Sequence, residues 1–385
     1  MDRRSLLKTG GLGLLGLGLG GCAVRSSPAG STRAPVRVPP VRASWDRVIR
    51  TTVGLRPYRP SGFLVAAERL DDKTVVHNYG HGGAGMSLSW GTGQLAADLA
   101  AEHPERRAAV IGCGVVGLTS ARQLQRRGFD VSIYAMSLPP HTTSNMSLAG
   151  WTPTSGLVTG RGTPEWEAQF RRAAEIAYQQ LQLLVGRGYG ISWMNTYSLR
   201  DEPPEQPAGE GRAQQSLLPP HLRPGSVLLG PGEHPFPTRY ATERPTLRIE
   251  PSVYLDALVR DVQRFGSRIV VRQFDTRRDL MTLDEPIIVN CTGLGARSLF
   301  GDEQLVPVKG QLTHLVPQPE IEYGTFGGLP DSEDRDFGVH MYPRTDGIAL
   351  GGTSEEGVWS LEPNEEARQQ IVAAHIALFA AMRRL

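Results

Sequence analysis

Cysteine is scarce: three residues in 385, Cys22, Cys113 and Cys291. None belongs to a CxxC pair, which excludes a disulfide framework and a cysteine-built zinc site and leaves Cys113 and Cys291 as structural residues. An excess of one charge is also missing. Lys and Arg total 41 against 39 Asp and Glu, a net +2. With the signs well mixed, there is no electrostatic case for a nucleic-acid partner or an acidic membrane surface. Past residue 22, no run is long and apolar enough to span a bilayer. Acid–base dyads, nucleophile motifs and metal clusters are lacking too. His77 and His81 are four apart, but the Tyr79-Gly80 between them and the glycines that follow argue against a helical zinc pair. No metal is expected.

The first 22 residues are not expected to join the fold. Arg3-Arg4 precede a glycine-rich apolar run, 10–21, that is too short for a good membrane helix and reads as a twin-arginine export signal. Leu19-Gly20-Gly21-Cys22 resembles a lipoprotein cleavage box, which would leave Cys22 lipidated; the plainer reading is a signal with an incidental cysteine. The protein is thus expected to be exported, and to be periplasmic or at the cell surface, with a possible lipid anchor. Residues 23–42, rich in Pro, Ser, Arg and Val, read as a linker.

What the chain has in quantity is glycine, 45 residues. Ala108-Ala109-Val110-Ile111 is a short buried strand. Gly112-x-Gly114-x-x-Gly117 follows, then a helix to about Arg127 and a strand at Val131-Ser132-Ile133-Tyr134. In that setting the first glycine makes the tight turn, the second admits a pyrophosphate, and the third lets helix and strand pack closely. The helix N-terminus adds free N–H groups and positive partial charge. The same pattern also fits a ligand-free turn, and it does not separate NAD from FAD. The usual acid at the end of the second strand is missing, since the chain reads Tyr134-Ala135-Met136-Ser137. Two other segments favour FAD. One is the strand Val289-Asn290-Cys291-Thr292-Gly293. The other is the loop 80–85, with four glycines in six residues, which could lie flat on a planar ring.

Elsewhere, residues 48–53 and Val75-Val76 read as strands, and a helix is expected from about 91 to 102. Thr163-Pro164 caps a long helix with an apolar stripe through Trp166, Phe170, Ala173, Ala177 and Leu181. Residues 202–225 read as loop. Further helices are expected over 252–265 and from Asn364, and strands at 269–271 and 287–289.

Several of these segments resemble the D-amino-acid oxidase family. They are residues 110–118, His141-Thr142-Thr143-Ser144-Asn145, Gly150-Trp151-Thr152-Pro153, Val289 to Gly293, and Leu350-Gly351-Gly352-Thr353 with Trp359. Gly54-Leu55-Arg56-Pro57-x-Arg59-Pro60 and residues 77–83 resemble the family's C-terminal motifs, yet here they precede the glycine fingerprint. The order looks circularly permuted, with the old ends joined through residues 103–106 and the new C-terminus expected beside residues 43–47.

The resemblance implies an α/β fold: a Rossmann-like FAD-binding domain with a mixed-sheet α+β substrate domain, interleaved along the chain. Substrate-domain segments are expected at 43–77, 161–245 and 301–385, and FAD-binding segments at 78–160 and 246–300. It also implies roles. Arg56 would grip a substrate carboxylate through two parallel hydrogen bonds, and the Gly83 carbonyl would accept from the amine. Gly82, Gly83, Ala84, Gly85, Met86 and Ser87 would line the flavin. Gly112, Gly114, Val115, Val116, Gly117, Thr142, Thr143 and Ser144 would hold the pyrophosphate. Trp151 and Thr152 would sit near the ring, Phe274 at the adenosine and Thr292 in the second flavin segment. Arg59 is left structural. The family's two pocket tyrosines are unmatched; Asp336, His340 and Tyr342 lie nearest.

The implied reaction is oxidation of a D-amino acid, hydride passing from the α-carbon to flavin N5, to give a 2-oxo acid, ammonia and, with molecular oxygen, hydrogen peroxide. Alternatives are a related amine oxidase acting on glycine, sarcosine or D-aspartate, a dehydrogenase feeding a membrane acceptor, and a non-enzymatic flavin-binding lipoprotein.

Overall fold

Short buried runs make the first sheet, in a computed structural model that describes residues 34–148, 150–155, 163–203, 217–328 and 337–383. Its order is β2 (Leu64–Leu70), β3 (Lys73–Tyr79), β10 (Ile287–Asn290), β4 (Arg107–Ile111), β5 (Asp130–Ala135), β9 (Arg268–Val271). All neighbours are parallel except β2 on β3. Both faces are covered, as parallel sheets require. Ala108 and Val110 of β4 face a core shared with α1 (Gly85–Ala100), α2 (Val115–Gln125), α3 (Pro164–Leu183) and the helix Pro251–Arg264. Ala109 and Ile111, on the alternate face, meet Leu280, Leu299 and Phe300. The Thr163 hydroxyl caps α3 by accepting from the Trp166 N–H at 3.3 Å.

The second sheet runs β1 (Val48–Tyr58), β11 (Val306–Leu315), β14 (Gly347–Thr353), β13 (Phe337–Arg344), β12 (Tyr323–Gly327), β6 (Ile191–Arg200), β8 (Tyr240–Ile249), β7 (Val227–Leu229), with β15 (Glu355–Glu356) on β11. The C-terminal helix Glu365–Ala380 packs Ile371, Val372 and Leu378 against it. The sequence-predicted α/β architecture, a nucleotide-binding sheet beside a mixed sheet, is the one observed. The described residues from 35 onward form one unit.

Two boundaries differ from the sequence reading, each for a packing reason. The helix expected from Gly91 starts at Gly85. Gly91 is not a start signal but a contact: a methyl group there would lie 1.9 Å from the Ala173 carbonyl oxygen of α3. The strand expected over 48–53 continues to Tyr58, through Pro57. Because β1 is an edge strand, the missing Pro57 N–H breaks no ladder bond on its open side. The leader 1–22, the linker as far as residue 33, Asp336 and Leu385 lie outside the described residues, as does much of the loop expected over 202–225.

Candidate active site

A cleft of about 1450 Å³ opens at the carboxyl ends of β3, β10, β4, β5 and β9 and extends to the second sheet. This is where open parallel sheets bind ligands. The glycine fingerprint sits on one wall. Gly112 has φ +115°, and a methyl group on it would meet the Cys291 carbonyl oxygen at 2.5 Å. On Gly117 a methyl would lie 2.0 Å from the Gly112 carbonyl oxygen, so this glycine seats the helix against the turn. Gly114 faces the cleft, with only Ser144 Oγ nearby. That oxygen accepts from the Val115 N–H at 3.0 Å. The first-turn N–H groups of Val116 and Gly117 have no acceptor further back in the helix. Together with Thr142, Thr143 and Ser144, which line the same cleft, these groups could hold a pyrophosphate. Phe274 and Thr292 line the same cleft.

The loop 80–85 forms the middle. Gly80 and Gly82 take positive φ, +82° and +55°, and the Gly82 N–H donates to the Pro57 carbonyl at 2.9 Å, tying the loop to the end of β1. Gly82, Gly83, Gly85, Met86 and Thr152 face the cleft; Ala84, Ser87, Trp151 and Gly117 do not line it. Ala84 is the buried residue before α1. The Ser87 N–H is already bonded to Ala84 O, and its hydroxyl braces the neighbouring segment, donating to Gly150 O at 3.2 Å and accepting from the Thr152 N–H at 2.8 Å. The Trp151 ring packs on Tyr178 at 4.9 Å. These four support the cleft from behind.

At the far end, Arg56 leans over the bare backbone of Gly310: a methyl there would sit 2.5 Å from Nη2. Among the described residues only the Thr353 carbonyl accepts from the guanidinium, at 3.4 and 3.5 Å. Among the described residues no carboxylate pairs with it, and desolvation pushes its pKa down. Arg59, three residues on, is bound to Asp302 at 2.9 Å. Gly83 stands beside Arg56, since a methyl on Gly83 would reach 3.8 Å from its Cδ and 2.9 Å from Ser155 Oγ.

His340 and Tyr342 face the same end. Burial, His375 and Arg56 hold the His340 ring down to about 3, so it is neutral. Tyr342 is buried, its phenol pKa raised, its ring edge-on to Phe326 at 5.7 Å and its hydroxyl close over Gly150. Both cleft cysteines are driven up to about 12 by burial, which removes them as nucleophiles.

Four contributors carried no motif strong enough to be named: Gly310, Phe326, Asn78 and Ser155. Asn78 stood within a quoted segment, but nothing marked its side chain. Asn78 Oδ1 and Ser155 Oγ are buried without a hydrogen-bond partner among the described residues. Glycines that only backbone can approach, free first-turn N–H groups and orphaned polar atoms along one cleft fit a bound dinucleotide with a small substrate beside it.

Comparison with known proteins agrees. The family model described as FAD dependent oxidoreductase matches residues 33–99 and 107–385, in two blocks. A D-amino-acid oxidase of Rubrobacter xylanophilus is 29% identical over 287 residues, 72% of this chain and 78% of the relative. One from Streptomyces coelicolor is 30% identical over 276 residues, 70% and 76% respectively. Among solved structures, glycine oxidase from Bacillus cereus shares the fold at TM-score 0.51 and 17% identity, covering 72% of this chain and 79% of that one.

Proposed function

The chain belongs to the FAD-dependent oxidoreductase family, and on that premise we propose that it oxidises a D-amino acid to a 2-oxo acid and ammonia, with oxygen as electron acceptor. The observation that carries this is Arg56: a half-buried guanidinium with no carboxylate partner among the described residues, beside Gly83, in the same cleft as the glycine turn. Bound FAD supplies the chemistry, accepting two electrons from the α-carbon and passing them to oxygen to give hydrogen peroxide. The protein supplies position and field. Arg56 matches a carboxylate with two parallel N–H bonds. The Gly83 carbonyl takes the amine. Neutral His340, Phe326 and Tyr342 bound the side-chain end without adding a second positive charge there.

The permuted order is part of this reading. Its support is that the family model breaks at residues 100–106, and that Tyr323 brings Pro39 and Met382 together. The tyrosine hydroxyl donates to the Pro39 carbonyl at 2.8 Å and lies 4.0 Å from Met382 Sδ. Export by the twin-arginine route, with Cys22 as a lipid anchor, is proposed from the leader sequence.

The test is anaerobic titration of the FAD-loaded protein with D- and L-amino acids, glycine and sarcosine. D-amino acids should bleach the flavin, and Arg56→Ala should need far more substrate while keeping its FAD. Bleaching of that variant at unchanged concentration overturns the reading. Peroxide formed in air identifies oxygen as the acceptor.

A further inference from the structure

We propose that His77 is a positioning residue of the FAD site, acting through Asn290 on Thr292 in the cleft, and that protonating it releases Thr292. The inference rests on the FAD site and is independent of which amino acid is oxidised. His77 and Asn290 stand side by side on β3 and β10. His77 Nε2 lies 3.2 Å from a Glu68 carboxylate oxygen, an acceptor only, so Nε2 carries the ring proton. Nδ1 is then an acceptor and takes the Asn290 amide N–H at 3.1 Å. This fixes the sense of the amide. Asn290 Oδ1 is turned to Thr292, accepting from its N–H at 3.2 Å and its hydroxyl at 2.7 Å. Asn290 is fully buried, so it has no water to substitute for either bond. Thr292 faces the cleft.

The ring is reached from outside, because it lines a separate surface pocket of about 330 Å³ together with Glu68, Arg59, Asp302, Tyr79 and Arg277. Glu68 and Asp302 favour the protonated ring and Arg277 opposes it, while Arg59 is held by Asp302 and Tyr79 donates to the same carboxylate. Burial dominates and lowers the His77 pKa, keeping the ring neutral at neutral pH. A second proton would put Nδ1–H against the amide NH2. The amide must then turn, and the Thr292 N–H loses its acceptor.

The experiment measures FAD affinity of the full-length apoprotein by flavin fluorescence quenching between about pH 5 and 8. His77→Gln presents a carbonyl to Asn290 and does not titrate. It should bind FAD within about twofold of wild type at high pH and show a flatter pH profile. His77→Leu removes the acceptor and should weaken FAD about tenfold relative to wild type at high pH, one hydrogen bond's worth, with a flat profile that the wild type approaches in acid. Wild-type affinity should fall with acid. Identical pH profiles for wild type and His77→Gln, or wild-type affinity in His77→Leu at high pH, would overturn the proposal. If His77→Leu does not fold, the comparison of wild type with His77→Gln decides alone.

Discussion

The two sheets handle their ligands by opposite means. On the six-stranded sheet the cleft is made by absence: Gly112, Gly114 and Gly117 remove side chains so that backbone N–H groups and a helix end can be approached. On the nine-stranded sheet it is made by side chains, with Arg56, His340, Tyr342 and Phe326 projecting into the space. A site built from backbone fails sterically when anything is added. A site built from side chains fails chemically when something is removed. Substitutions on the two sides should therefore have distinguishable signatures.

The largest effect is expected from Gly117→Val. Its added carbon would overlap the Gly112 carbonyl oxygen at 2.0 Å, so the helix must move off the turn. Overpacking costs about 1–3 kcal/mol or more, and the purified protein should carry almost no FAD, measured by its absorbance. Arg56→Ala should show the reverse, with FAD content unchanged and kcat/KM down by about 2–5 kcal/mol, because a buried substrate carboxylate loses its partner. FAD lost from the second variant, or kept in the first, would break the contrast.

Arg59→Ala sharpens it within one strand end. Arg59 and Asp302 are both largely buried, so removing the cation strands a carboxylate at a cost of about 3 kcal/mol in unfolding free energy. Denaturant titration should show this loss while KM for substrate stays near wild type.

A gentler test uses acid. Burial holds His81, His314 and His340 down to about 3 and His375 to about 4. In the unfolded chain these rings titrate near 6.5, so that state takes up protons first. Stability is then full above about pH 6.5 and falls as the pH drops toward 4, by about 1.4 kcal/mol per pH unit for each ring. Three of the four belong to the nine-stranded sheet or to the helix covering it. Hydrogen exchange at about pH 5 should therefore loosen that sheet before the nucleotide-binding one.

The same contrast explains what could be read in the sequence. β4, β5 and β10 announce themselves because parallel strands buried on both faces are short apolar runs. The glycine turn between β4 and α2 has one spacing and one use. β11 carried no such mark. Its Lys309, Gln311, Thr313 and His314 are polar residue types that are nonetheless all buried, and Pro307 and Gly310 look like strand breakers. They are accommodated by partners the sequence cannot show, such as the Gln311 side chain bonding both the N–H and the carbonyl of Asn364. β6 is opaque for a related reason: Trp193 faces solvent while Thr196 is buried. Of the site, Arg56 and Gly83 were reachable through their resemblance to a family motif. Ser155 and Asn78 were not, because only the fold reveals that Ser155 Oγ and Asn78 Oδ1 lack partners among the described residues.

The pairing of β1 with β11 also has a consequence for synthesis. Arg56 stands opposite Val308, about 250 residues later, and β1 has no other strand beside it. On the ribosome it emerges with every ladder bond unmet and must wait through most of translation, a long-range closure of the slow kind. The glycine turn needs nothing beyond β10 from its own sheet, so a nascent chain can complete its nucleotide wall before the wall proposed for the substrate exists.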